Sequence, residues 1–126
     1  MSLQNPLARA RGLGTAKAGA EHWLIQRVSA VALIPLTVWF IYAALTLAGA
    51  DYATTKAWLA TPHNAILMVL LIIATFHHMQ MGLQVIIEDY VHVEAVKVIS
   101  LIVNKLVALG LGVASIFAVL KVAFGG

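Results

Sequence analysis

Three apolar runs, each long enough to cross a lipid bilayer, decide what this chain can fold into. The first, WLIQRVSAVALIPLTVWFIYAALTLAGA, reaches from Trp23 to Ala50; the second follows TPHN at residue 61 and continues to Ile87; the third extends from about Val96 to Phe124. A helix rises about 1.5 Å per residue, so about 20 apolar residues span a hydrocarbon core of about 30 Å. A 126-residue chain that is 62% apolar and only 10% charged cannot hide this surface in an interior of its own, and lipid must be part of its solvent. The expectation is an all-α membrane protein with three transmembrane helices at about residues 23–50, 62–88 and 96–124. Residues 1–22 form a polar tail, and residues 23–126 a single anchor domain.

Local signals support these limits. Thr61 is placed to cap the free backbone donors of the second helix, and Pro62 occupies an early position where its missing N–H costs nothing. Pro35 interrupts the hydrogen-bond ladder of the first helix and should bend it. Arg9, Arg11, Lys17 and Arg27 flank the start of the first span, whereas the next connection offers only Lys56. The positive-inside rule therefore puts the N-terminus in the cytoplasm, or in the matrix of an organelle. Two crossings return EDYVHVEAVK to that same side, and the third puts the C-terminus on the opposite one. The first residues lack the apolar core of a signal peptide, and the tail is short, which favours a bacterial inner membrane over a mitochondrial one.

Several function classes drop out. Without cysteine the chain makes no disulfide, thiolate metal site or iron–sulfur cluster of its own. No arginine-rich cluster with interleaved aromatics points to nucleic acid. What remains unusual is HHMQMGLQVIIEDY, residues 77 to 90, where polar residues ride on an apolar helix.

An ionisable residue inside a membrane is a functional-site hypothesis by default. For the histidines three readings compete: a haem ligand, a hydrogen bond between helices, and a proton or ion relay. Ala74, His78 and Gly82 stack at spacings of four on one helix face. Two small residues bracketing a histidine leave a shallow groove for a flat porphyrin, or equally let a neighbouring helix come close. His77 points about 100° away, nearer Met81, Gln84 and Glu88, and local sequence does not choose between the two histidines. Asp89 lies along the His78 face, about 16 Å further on at the wet end. Tyr90 offers a phenol suited to a quinone carbonyl and equally to anchoring at the interface. Arg27 fits either a haem propionate or a snorkelling interfacial role, and His22 and Ser29 are weaker candidates of the same sort. Lys105 in the third run has no assignment.

The string HMQMGLQVIIEDY, read with HWLIQRVSA and three spans, resembles the smaller membrane-anchor subunits of succinate dehydrogenase over essentially the whole chain. The resemblance implies half of a heterodimeric helix bundle around a b-type haem, with a second membrane anchor subunit as partner and the iron–sulfur and flavoprotein subunits docked on one surface. It makes His78 an axial ligand of the haem iron, with Gly82 beside it, and implies that Arg27 lies near the propionates; His22, counted with the cofactor-binding residues, matches a histidine that precedes the first helix in the family. Tyr90 would hydrogen-bond ubiquinone, and Asp89 would line the same site or its proton supply. The doublet His77-His78 departs from the family pattern, as does Lys105. An anchor of fumarate reductase or another respiratory oxidoreductase is the alternative within electron transport; a structural subunit without a cofactor is the alternative outside it.

Overall fold

The computed structural model describes residues 6–10 and 16–125. They form a short α1 (Pro6–Ala10), then α2 (Ala16–Leu47), α3 (Tyr52–Ala60), α4 (Pro62–Tyr90) and α5 (Glu94–Ala123). Three of these helices carry membrane-crossing segments, Gly19–Leu47, Pro62–Tyr90 and Glu94–Ala123. The fold is all-α with three membrane-spanning helices. Arg11, and the side chains of Arg9 and Lys17, lie outside the described residues.

Helix limits differ from the apolar limits for a physical reason. The first span was expected to begin at Trp23, yet α2 is already helical from Ala16, so the end of the tail continues the span. AKAGAE is rich in strong helix formers, whereas hydropathy reports lipid contact and not where a helix starts. α4 likewise runs through Glu88 and Asp89 to Tyr90, closing with a backbone bond from Val91 N–H to the Ile87 carbonyl. Pro35 stays within α2.

The connection between the first two spans holds α3, too short and too polar to register in a hydropathy reading. Gly49 makes the turn into it at φ +83°, a conformation that suits a residue without Cβ. Asp51 caps it, accepting a hydrogen bond from the Thr54 backbone N–H at 2.9 Å. Thr61 is the N-cap residue of α4, as its sequence position implied, but its side chain makes no capping hydrogen bond. Its hydroxyl donates to the Ala57 carbonyl at 3.2 Å, because Thr61 also ends α3, whose last carbonyls need donors. Trp58 stacks on Trp39 of α2 at 5.7 Å, and buried Asn64 of α4 donates to the Trp58 carbonyl at 2.9 Å. These contacts fasten α3 across this end of the bundle.

α4 is the central helix, packed most extensively on α5 and next on α2. A Cβ added to Gly112 of α5 would sit 3.6 Å from the Phe76 ring, so the small residue sets the approach of α5 to α4. Asn104 of α5 donates to the Gln80 carbonyl at 2.9 Å and adds a polar tie. Among the described residues, the buried apolar core consists only of Ala43, Met81 and Ala108. Most of each span therefore faces outward, towards lipid or another chain.

Candidate functional site

The two adjacent histidines of α4 enter different surroundings, because one residue turns a helix by about 100°. His78 faces α2 and is half-buried; its Nδ1 lies 3.1 Å from the hydroxyl of buried Ser29. The same hydroxyl donates to the Gln26 backbone carbonyl at 2.9 Å. One turn further along α4, a Cβ on Gly82 would lie 3.7 Å from the Gln26 side-chain nitrogen. Ser29 opposite His78 and Gln26 opposite Gly82 give an antiparallel register, which carries His22 towards the Asp89–Tyr90 end of α4.

This contact decides part of the groove question. At Gly82 the small residue lets α2 approach, and a separation of 3.7 Å is ordinary van der Waals contact, so nothing within this chain demands glycine there. The polar side of α2 is more informative. His22, Gln26 and Ser29 recur at helical spacing on an otherwise apolar helix, and the Nε2 of His22 and the Oε1 of Gln26 are buried without a hydrogen-bond partner among the described residues. Buried polar atoms are nearly always satisfied, so two orphans on one helix face call for a group beyond the described residues. Sequence reasoning did not single out Gln26. Its spacing from His22 and Ser29 was the available signal.

The remaining expected residues are less tightly assembled. Arg27 is exposed and places its guanidinium 5.5 Å from the centre of the Trp23 ring, a cation–π arrangement. Asp89 and Tyr90 are exposed at the end of α4, with Tyr90 77% accessible. All of these lie towards the same end of the bundle as the start of α2. They form a wet rim and not a closed pocket within one chain.

His77 belongs to a separate cavity of about 290 Å³ between α4 and α5, together with Phe76, Gln80, Lys105 and Gly112. Along this face Gln80 donates to Gln84 at 3.2 Å, and Gln84 donates to Glu88 at 2.8 Å. The amides bond along their own helix, and Gln80 also takes Asn104 on its carbonyl. Lys105 is exposed at the mouth of this cavity. No group of three or more His, Cys, Asp or Glu side chains able to enclose a metal ion by itself occurs among the described residues. A single imidazole can still supply one axial position of a haem, whose porphyrin provides the other donors.

Comparison with known proteins identifies the context of this arrangement. Residues 1–120 match the family described as Succinate dehydrogenase/Fumarate reductase transmembrane subunit. The succinate dehydrogenase hydrophobic membrane anchor subunit of Rickettsia bellii is 33% identical over 113 residues, covering 90% of each chain. That of Rickettsia conorii is 35% identical over 86 residues and 68% of each chain. That of Paracoccus denitrificans is 33% identical over 85 residues, 68% of this chain and 66% of that one. No solved structure matches the chain.

Proposed function

The chain belongs to the succinate dehydrogenase/fumarate reductase transmembrane subunit family, and from that premise we propose that it anchors a succinate:quinone oxidoreductase in a bacterial inner membrane, contributes one axial ligand to a b-type haem and lines a ubiquinone site. It carries out no complete reaction alone. Its partners in this reading are a second membrane anchor subunit, which supplies the opposite haem ligand, and the iron–sulfur and flavoprotein subunits, which deliver electrons from succinate. The N-terminal side faces the cytoplasm. The tail, the Asp89–Tyr90 rim and the α4–α5 connection then share the surface on which soluble subunits dock.

The observation that carries this reading is the half-buried His78 facing α2, the helix on which the Nε2 of His22 and the Oε1 of Gln26 are buried without a partner among the described residues. The residues fit a haem. His78 would ligate the iron, Gly82 keeps the adjoining surface low, and His22 would donate to a propionate. The Gln26 amide, turned about its terminal torsion, would donate an N–H to the same group. Arg27 would neutralise propionate charge at the rim. When bound, the haem supplies a one-electron carrier; reducing a quinone to its quinol takes two electrons and two protons. Tyr90 would donate a hydrogen bond to a quinone carbonyl, and exposed Asp89 would hand on protons from the aqueous side.

A reduced-minus-oxidised optical spectrum of the complex purified with its native partners tests the ligand. His78→Ala is expected to abolish the b-type haem signal, and His77→Ala to leave it. The opposite pattern would move the ligand by one residue. The His78–Ser29 bond also supports a structural reading, in which the imidazole merely ties two helices. That reading requires a fully assembled wild-type complex without a haem spectrum. An anchor of fumarate reductase would differ in the direction of turnover and in the quinone used.

A further inference from the structure

The hydrogen bonds at Ser29 constrain a proton that the ligand reading leaves unspecified. A serine hydroxyl has one proton and two lone pairs, while a backbone carbonyl can only accept. The 2.9 Å bond from Ser29 Oγ to the Gln26 carbonyl therefore uses the one hydroxyl proton. With the hydroxyl proton on that carbonyl, the 3.1 Å contact between the same oxygen and His78 Nδ1 is a hydrogen bond when the imidazole proton sits on Nδ1 and Ser29 accepts. A neutral imidazole protonated at Nδ1 carries its free lone pair on Nε2, the form needed to bind a metal through Nε2.

We propose that Ser29 is a positioning residue for His78: anchored by the Gln26 carbonyl, it holds the imidazole in the Nδ1–H tautomer and at a fixed ring angle, so that Nε2 is presented to haem iron. The inference rests on the haem-ligand reading of His78. A ligating histidine whose other nitrogen donates to an acceptor is a stronger donor to the metal, and loss of such an acceptor typically costs about 10- to 100-fold in metal affinity. A more electron-rich imidazole favours the oxidised iron. Removing the Ser29 acceptor should then move the haem midpoint potential to more positive values.

The test uses the complex assembled with its native partners and reads haem retention, midpoint potential and the low-spin ferric EPR signal. Ser29→Ala is expected to release haem about 10- to 100-fold more readily to an acceptor protein, with a positive shift in potential and altered g values. Ser29→Thr keeps a hydroxyl and should restore all three. If Ser29→Ala does not assemble, Ser29→Thr and Ser29→Val decide the matter, since the two are nearly isosteric and differ in the hydroxyl. A wild-type potential in the threonine variant with a shifted one in the valine variant supports the assignment. Equal potentials and EPR spectra in both overturn it. A His78→Ala complex that retains a normal haem signal would instead remove the ligand reading itself, a separate outcome.

Discussion

The two long faces of α4 carry similar polar residues and meet opposite fates. On the α5 side, Gln80, Gln84 and Glu88 bond in sequence, and Asn104 reaches the Gln80 carbonyl. On the α2 side, His78 finds Ser29, but His22 and Gln26 keep buried atoms without a partner among the described residues. One face meets the demands of its amides from within the chain, while the other leaves part of its demand open. Polarity within a membrane therefore does not mark a site by itself. The informative quantity is the unmet hydrogen-bonding capacity that remains after the chain has folded.

The contrast can be broken most strongly at its histidines, where His78→Ala should remove the haem spectrum that His77→Ala preserves. The next largest effect is expected at the wet end, where neighbouring carboxylates belong to different faces. Asp89→Asn should lower succinate-driven ubiquinone reduction by about 10²-fold, the lower range for a lost proton-transfer group. Succinate oxidation by a soluble dye should continue. Glu88→Gln, whose oxygen still accepts from Gln84, should leave both rates within about twofold of wild type; an equal loss in the two variants would dissolve the distinction between the faces.

Packing gives a smaller and opposite test. Gly112→Leu inserts a branched side chain where a Cβ already touches the Phe76 ring, and overpacking of this kind costs about 1–3 kcal/mol. It should lower the thermal midpoint of the purified complex. Gly82→Ala meets only the Gln26 amide at 3.7 Å and should leave that midpoint unchanged; reduced haem retention in this variant would show that the groove serves the cofactor beyond the chain's own packing. The smallest effect lies away from both faces, at the cap of α3. Hydrogen bonds from the Thr54 side chain and then its backbone N–H hold the Asp51 carboxyl below its ordinary value of 3.8. Its stabilisation is thus complete above pH 3.8 and lost as pH falls through the lowered value. Asp51→Asn, which still caps but does not titrate, should flatten acid sensitivity measured by tryptophan fluorescence of the Trp39–Trp58 pair.

Much of this protein is written along the chain. The three spans follow from apolar length, since lipid requires a backbone to satisfy its own hydrogen bonds and a helix does so locally. The shared side of the N-terminal tail and the α4–α5 connection follows from counting the two crossings between them. The separation of His77 from His78 follows from helical pitch, and His78, Gly82 and Asp89 fall on one face for the same reason. The early start of α2 and the presence of α3 were less legible, because hydropathy records the solvent of a segment and not its backbone conformation.

Other features required the helices to be brought together. Nothing in the order of residues says that the Ser29 hydroxyl lies within hydrogen-bond distance of His78 Nδ1, that Gln26 lies against Gly82, or that Thr61 turns its hydroxyl back to Ala57. Periodicity assigns a residue to a face but not to a neighbour. The choice of neighbour depends on the register between α2 and α4, seen in contacts far apart in sequence such as Ser29 with His78 and Gln26 against Gly82. The sequence thus determined the membrane fold and its polar faces, while tertiary packing decided which polar atoms were satisfied and which were left for a partner, because hydrogen bonds depend on distances between helices that no single helix contains.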